Sequence, residues 1–282
     1  MTTYIFPGQG SQIKGMGADL FSAYPSHVQQ ADNLLGYSIA ELCLEDPDNQ
    51  LNSTNFTQPA LYIVNALSYL KKLQEDQTEP NYVAGHSLGE YSALFAAGVF
   101  DFETGLKLVQ KRGALMHQAT GGGMAAVIGL THDAVDSIIK ENSLTTLSVA
   151  NVNSHHQIII TGPKDAITNA ESAFASAGAR MYIPLKVSGA FHSRYMDNAQ
   201  QEFSEFLKGF SFQAPKIPVI ANLDAAPYET AKIAANLTLQ INHPVLWLQS
   251  IQYLMAKGET TFVEIGPGKV LTGLVGKIQK GQ

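Results

Sequence analysis

Five residues, Gly85-His86-Ser87-Leu88-Gly89, restrict this chain more than any other segment. Asn81 to Ala84 reads as a short strand entering them, and Glu90 to Ala97 reads as a helix leaving them. A strand that passes into a helix through so short a turn must lift its central residue out of the sheet. Glycines flank the serine because a Cβ there would collide with the neighbouring strand or helix. The turn also brings the Leu88 N–H to a helix N-terminus, where backbone donors and the helix dipole favour an oxyanion. Ser87 is therefore the candidate nucleophile, and acyl transfer the class of chemistry. The letters Gly-x-Ser-x-Gly arise often by chance; the strand–turn–helix context carries the inference.

The remaining pattern supplies a sheet for that turn. Thr3 to Phe6 reads as a strand stopped by Pro7, and helices are expected over 19–33, 59–75 and 102–119. In the second of these, Leu61, Val64, Leu67 and Leu70 recur at the spacing of one helix face. Alternating strands and helices favour a parallel sheet covered on both faces. Gly121-Gly122-Gly123 is by composition a flexible joint. Beyond it come a strand at 124–130, a helix at 133–142, strands at 147–151 and 157–162, a helix at 163–178 and a strand at 180–185. That βαββαβ order is the ferredoxin-like arrangement. Strands at 218–222 and 261–265 and a mostly helical segment at 231–254 complete the pattern. The expected fold class is α/β: a large catalytic domain over 1–122 and 187–282, with a ferredoxin-like insert over 123–186.

Composition narrows the classes of function. Of 282 residues, 45% are hydrophobic and 15% charged, with a formal net charge of −6 and no long run of either sign. A nucleic-acid or membrane-surface role would leave a basic concentration, and none is visible. The single cysteine, Cys43, rules out an intrachain disulfide and reads as a small buried residue. The N-terminal residues carry no signal-peptide pattern, and the apolar stretch 93–100 is too short to span a bilayer, which needs about 20 residues. A cytoplasmic protein is expected, and with no coiled-coil pattern or long exposed apolar face, a monomer.

A serine needs a base. Among eight histidines, His86 adjoins Ser87 and should point away from its Oγ. His155 and His156 read as loop residues, and His27, His117 and His132 have no obvious partner. His192, after a strand end and Gly189, is the first candidate; His243, before a proline, is the second. No clustered Cys/His pattern suggests zinc, and the glycine-rich segments fail as nucleotide loops: Met16 stands where a phosphate loop needs lysine.

Six segments together closely resemble the malonyl-CoA:acyl carrier protein transacylases of fatty acid and polyketide synthesis. They are residues 6–12, 85–91, 111–113, 150–154, 189–193 and 264–271, and they run in family order across nearly the whole chain. The resemblance implies an α/β-hydrolase-like large domain with a ferredoxin-like insert. It implies that His192 is the base and that its second ring nitrogen is held by the main-chain carbonyl of Gln240 instead of by an acid. It implies an oxyanion hole from the N–H groups of Gln9 and Leu88. From the residues alone, Arg112 reads as a surface arginine beside Lys107 and Lys111; the resemblance makes it the partner of the substrate's free carboxylate, which suits a planar guanidinium. Phe191 and Met116 would crowd a methyl branch on the acyl group. The segment 189–196 looks more like the free-standing acyltransferases that serve polyketide synthases in trans than like fatty acid enzymes.

The implied reaction moves malonyl from malonyl-CoA to the phosphopantetheine thiol of an acyl carrier protein, with no metal or redox cofactor. Lys14, Lys186, Arg194 and Lys269 are candidates for a positive rim that meets an acidic carrier. Two rivals stand beside this reading. One is an acyl hydrolase, against which Arg112 and the lack of an evident triad acid both count. The other is a carrier-binding module without turnover, against which Ser87, Arg112 and His192 count together.

Overall fold

A computed structural model describes residues 1–76 and 79–282. Its strands are β1 (Thr2–Phe6), β2 (Tyr82–Gly85), β3 (Gly122–Ile128), β4 (Ser148–Ser154), β5 (Gln157–Pro163), β6 (Met181–Pro184), β7 (Val219–Ile220) and β8 (Thr261–Glu264). Four of them form a wholly parallel sheet in the order β7-β2-β1-β8. Because side chains alternate along a strand, the sheet feeds two cores at once. Tyr4, Phe6, Val83 and Val219 pack with Leu61, Leu67, Leu106 and Val109 of the helices Thr54–Asp76 and Phe102–Gln118. Ile5, Ala84 and Ile220 face the other way, onto Trp247, Ile251 and Leu274 of the helices Trp247–Ala256 and Val270–Gln279. Burial on both faces is what a parallel sheet requires. With every strand pointing the same way, the segments after β1, β2 and β7 gather at one edge, where open α/β sheets place their ligands.

The other four strands form an antiparallel sheet in the order β4-β5-β3-β6, joined as βαββαβ. Ala125, Val127, Ile158 and Ile160 turn toward Val135, Ile138, Ile167 and Phe174 on the sheet's own helices. Met124, Ala126 and Ile159 turn toward the larger core instead. Alternation thus makes this sheet a wall between its own helices and the edge of the parallel sheet.

Several expectations change in detail. The pattern over 19–33 is two helices, Ala18–Ala23 and Pro25–Leu35, parted where Pro25 takes the first position of the second. The helix expected over 163–178 is likewise two, Lys164–Asn169 and Glu171–Ser176. The triple glycine is not simply a joint, because Gly122 and Gly123 lie within β3. A Cβ on Gly122 would fall 2.0 Å from the Ala190 nitrogen, so glycine stands there to let two backbones meet. Helices at Ile39–Leu44 and Asp197–Leu207 have no counterpart in the sequence pattern above. Among the described residues, no helix is long and apolar enough to cross a membrane.

The turn after β2 depends on the same kind of approach. A Cβ on Gly89 would lie 2.0 Å from the Phe6 carbonyl oxygen, and one on Gly85 would lie 2.0 Å from the Gly89 carbonyl. Overpacking of this sort costs about 1–3 kcal/mol. Gly89→Ala is expected to lower the free energy of unfolding by at least that amount, and urea unfolding curves for the two proteins measure it.

Candidate active site

Ser87 sits between β2 and the helix Gly89–Ala96 with φ at +51°, a left-handed conformation that a serine adopts only when its surroundings hold it there. Asn222, two residues beyond β7, does the holding. Its Oδ1 accepts from the Ser87 N–H at 2.7 Å, and its Nδ2 donates to the Gly85 carbonyl at 2.7 Å. One buried side chain therefore clamps both ends of the turn. In the sequence Asn222 carries no signal of this role, being only the end of an expected strand.

His192 also has a positive φ, +57°, on a loop pinned by Ser193, whose Oγ donates to the Ala190 carbonyl at 2.6 Å. Its Nε2 lies 2.8 Å from Ser87 Oγ, and its Nδ1 lies 2.9 Å from the Gln240 carbonyl oxygen. A carbonyl can only accept, so Nδ1 carries the proton and Nε2 presents its lone pair to the serine hydroxyl. His243 is exposed, hydrogen-bonded through Nδ1 to Leu239 and Asn242, and takes no part. His86 points away from Oγ as expected. Its Nε2 meets Asn153 Oδ1 at 2.8 Å and its ring stands edge-on to Trp247, so it ties the turn to β4.

Arg112 is not on the surface. It is 1% exposed, on the inward face of the helix Phe102–Gln118. Its Nη1 donates to Gln58 Oε1 at 2.9 Å; its Nη2 donates to Gln240 Oε1 at 2.8 Å and to Ser87 Oγ at 3.2 Å. The guanidinium also stands over the Tyr91 ring, 5.5 Å from its centre. Gln240, expected to contribute only its carbonyl, therefore contributes its side chain as well: its Nε2 donates to the Ser87 carbonyl at 2.8 Å and to Glu90 Oε2.

Glu90 is the second residue that sequence reasoning passed over, although it lies inside the segment that carried the resemblance. It is buried and accepts from Asn222 N at 2.9 Å and from the Tyr228 hydroxyl at 2.7 Å. Desolvation pushes its carboxyl up to about 7, against the pull of Tyr228, Asn222, Gln240 and Arg112. It makes no hydrogen bond to His192 among the described contacts, so it is not the acid of a triad.

These groups open onto one cavity between the two sheets. Gln9, Ser87, Leu88, Arg112, Met116, Phe191 and His192 line it, with Met124, Ala126, Asn151, Asn153 and Ile159 forming the wall from the antiparallel sheet. Phe191 and Met116 are buried, and Gln58 Nε2 holds the Met116 sulfur at 3.4 Å. Lys14, Lys186, Arg194 and Lys269 are all exposed, and Arg194 is engaged with the Thr145 carbonyl at 2.7 Å. Among the described residues, no group of three or more His, Cys, Asp or Glu side chains is arranged to hold a metal.

Residues 3–280 match the acyl transferase domain family. The chain is 56% identical over 281 residues to the polyketide biosynthesis malonyl CoA-acyl carrier protein transacylase PksC of Bacillus subtilis, covering 99% of this chain and 98% of that one. Its fold superposes on the malonyl CoA-acyl carrier protein transacylase of Burkholderia pseudomallei with a TM-score of 0.97 at 47% identity, over 100% of this chain and 99% of the other. A malonyl-transacylase solved in complex with a type II polyketide synthase acyl-carrier protein matches with a TM-score of 0.94 at 38% identity, over 99% and 93%. The chain belongs to the acyl transferase family.

The electrostatics of the site give it a distinctive pH signature. Burial and the nearby Arg112 charge lower the His192 pKa to about 3, against the smaller opposing effect of the Gln240 carbonyl. The folded value thus lies below the unfolded one of about 6.5. Stability tied to the neutral ring is complete above pH 6.5 and is lost as the pH falls toward 3. The His192 ring resonances are expected to stay those of a neutral imidazole from about pH 8 down to about pH 5. A titration by NMR tests this, and a midpoint near 6.5 would contradict it.

Proposed function

We propose that this member of the acyl transferase family moves a malonyl group from malonyl-CoA to the phosphopantetheine thiol of an acyl carrier protein, by way of an ester on Ser87. The observation that carries the reading is the double contact at Ser87 Oγ, with the His192 Nε2 at 2.8 Å on one side and the Arg112 Nη2 at 3.2 Å on the other. The first contact makes a nucleophile. The second supports a cation close enough to Oγ for a carboxylate on the acylated serine to reach it.

In the first half-reaction His192 Nε2 takes the hydroxyl proton as Oγ attacks the thioester carbonyl. The N–H groups of Leu88 and Gln9 hold the oxyanion. Collapse expels CoA thiolate, which takes the proton back from His192 and leaves as the thiol. The carrier's thiol then gives its proton to His192 and attacks the malonyl ester, and Oγ recovers the proton as it departs. His192 is cationic only transiently. The lone pair it presents in the resting state is what the attack needs, and no acid beside it would lock the imidazolium in place.

Arg112 supplies the selection. A buried guanidinium left without its acceptor costs about 3–5 kcal/mol, so the substrate that completes its hydrogen bonds is favoured over one that does not. Phe191 and Met116 line the same cavity, where their bulk would crowd a branch at the α-carbon. The name of the Bacillus subtilis relative supports placing this chain in polyketide assembly, where it would deliver extender units in trans; the match to a transacylase held by a carrier protein supports the carrier as partner.

Three outcomes test the reading. Mixed with malonyl-CoA, the wild-type protein should gain the mass of one malonyl group, and Ser87→Ala should gain none; an adduct on the variant would remove Ser87 from its role. Arg112→Ala should load malonyl at least about 100-fold less efficiently, the fold-change equivalent to the ~3 kcal/mol lower bound above. Its acetyl loading should change far less. Methylmalonyl should load onto the wild type about 10- to 200-fold less efficiently than malonyl, the range one methyl group commands.

A further inference from the structure

Arg112 and Glu90 are both buried, yet they do not touch: the side-chain amide of Gln240 stands between them. Its nitrogen points at the carboxylate and its oxygen at the guanidinium. That orientation has a physical cause. Reversed, the amide would set its oxygen against a carboxylate oxygen and its N–H₂ against a guanidinium N–H, two repulsions in place of two charge-assisted hydrogen bonds. The same nitrogen also donates to the Ser87 carbonyl, which would face the amide oxygen if the group turned over. Glu90 in turn is held by the Asn222 N–H and the Tyr228 hydroxyl on its other oxygen. Each of these partners donates to it, and together they favour the ionised form against the desolvation that raises its carboxyl.

We propose that Glu90 is a positioning residue for acyl selection, fixing the Gln240 amide so that its oxygen holds the Arg112 guanidinium against Ser87 Oγ. This rests on the malonyl reading above and deepens it: Arg112 would grip the substrate, and Glu90 would set where the grip lies without touching the substrate itself. The arrangement explains why a carboxylate is buried one turn after the nucleophile and yet contributes nothing to His192. It also explains why Gln240 is more than a main-chain carbonyl. Its backbone serves the base and its side chain serves the clamp, so a single residue registers the two against each other.

Glu90→Gln is the direct test, because it keeps the shape and removes the charge. The oxygen of the introduced amide would stay with the Asn222 N–H and the Tyr228 hydroxyl, which leaves its N–H₂ facing that of Gln240. The Gln240 amide must then turn, and Arg112 Nη2 loses the Gln240 oxygen while keeping its contact with Ser87 Oγ. With the full chain, Ser87 acylation is followed by intact mass under single-turnover conditions, with malonyl-CoA and acetyl-CoA in parallel. The malonyl-to-acetyl ratio of specificity constants is expected to fall at least about tenfold in Glu90→Gln, as the loss of a charge-assisted hydrogen bond implies. A ratio within about twofold of wild type overturns the proposal, even if both rates drop together, since an equal drop is what mere structural support of the turn would produce.

Gln240→Met provides a second route that does not depend on Glu90→Gln folding. It keeps the main-chain carbonyl for His192 and removes the amide, so the ratio should fall by a similar factor. Where both variants fold, the double variant should fall no further than either one, because the two residues act in series. A Gln240→Met protein with an unchanged ratio, or a double variant whose losses multiply, overturns the inference. A wild type that forms no malonyl adduct at all would instead bring down the malonyl reading, and this proposal with it.

Discussion

Everything at the site follows from how closely the helix after Ser87 approaches β1. The Phe6 carbonyl lies where a side chain on Gly89 would begin, and the Gly89 carbonyl lies where one on Gly85 would begin. Only two glycines allow a strand to become a helix within that space. The approach forces Ser87 into a left-handed conformation and points its hydroxyl away from the sheet. Asn222 offsets the strain by hydrogen-bonding the turn at both ends, and it can do so because β7 pairs with β2 in parallel and delivers the asparagine to the same edge. Topology and nucleophile are thus one problem: an antiparallel neighbour would have carried its loop to the opposite edge.

The base is set up with a carbonyl, in place of a carboxylate, as its partner. His192 is deeply buried and faces a carbonyl, and the Arg112 cation also acts against its protonation, so its neutral form is strongly favoured. A carboxylate in place of the Gln240 carbonyl would stabilise the imidazolium and also bring a negative charge toward the site where an anionic acyl group must bind. Keeping the buried carboxylate of Glu90 behind an amide keeps that charge away from both the base and the incoming substrate. Dipoles hold the ring where another enzyme would use an ion.

Much of this is legible in the residues, and the reasons for what is not are specific. The elbow can be read because its constraint is local: five consecutive residues contain both the turn and the glycines that permit it. The βαββαβ order can be read because strand and helix periods differ over every segment, and the observed sheet order is the one that connection implies. Arg112 reads as a surface residue because helix position alone cannot tell whether a face meets solvent or another layer; Gln58, 54 residues away, decides that. Glu90 and Asn222 are invisible for a related reason. Their partners come from across the parallel sheet, more than 130 residues distant, and no local pattern records a partner brought in by strand pairing. Pro25 and the paired glycines of β3 mislead because breakers also serve as packing residues.

The contact between Arg112 and Ser87 Oγ gives the selection its direction. In the free protein the Nη1 and Nη2 groups of the guanidinium donate to Gln58, Gln240 and the nucleophile itself. Acylation turns that hydroxyl oxygen into an ester oxygen, a poorer acceptor, so the step that loads the enzyme also withdraws one of the clamp's partners. In the proposed reaction, malonyl replaces what it removes, because its carboxylate arrives on the same group that caps Oγ. Acetyl removes without replacing, and leaves a buried N–H of a cation unsatisfied. Hydrogen-bonding sites discriminate chiefly in this way: the penalty for a missing partner exceeds the gain from a present one. Selection therefore does not need a pocket that excludes acetyl by size. It needs a buried guanidinium beside the serine that gains a carboxylate as the ester forms, in the cavity that Phe191 and Met116 help to line.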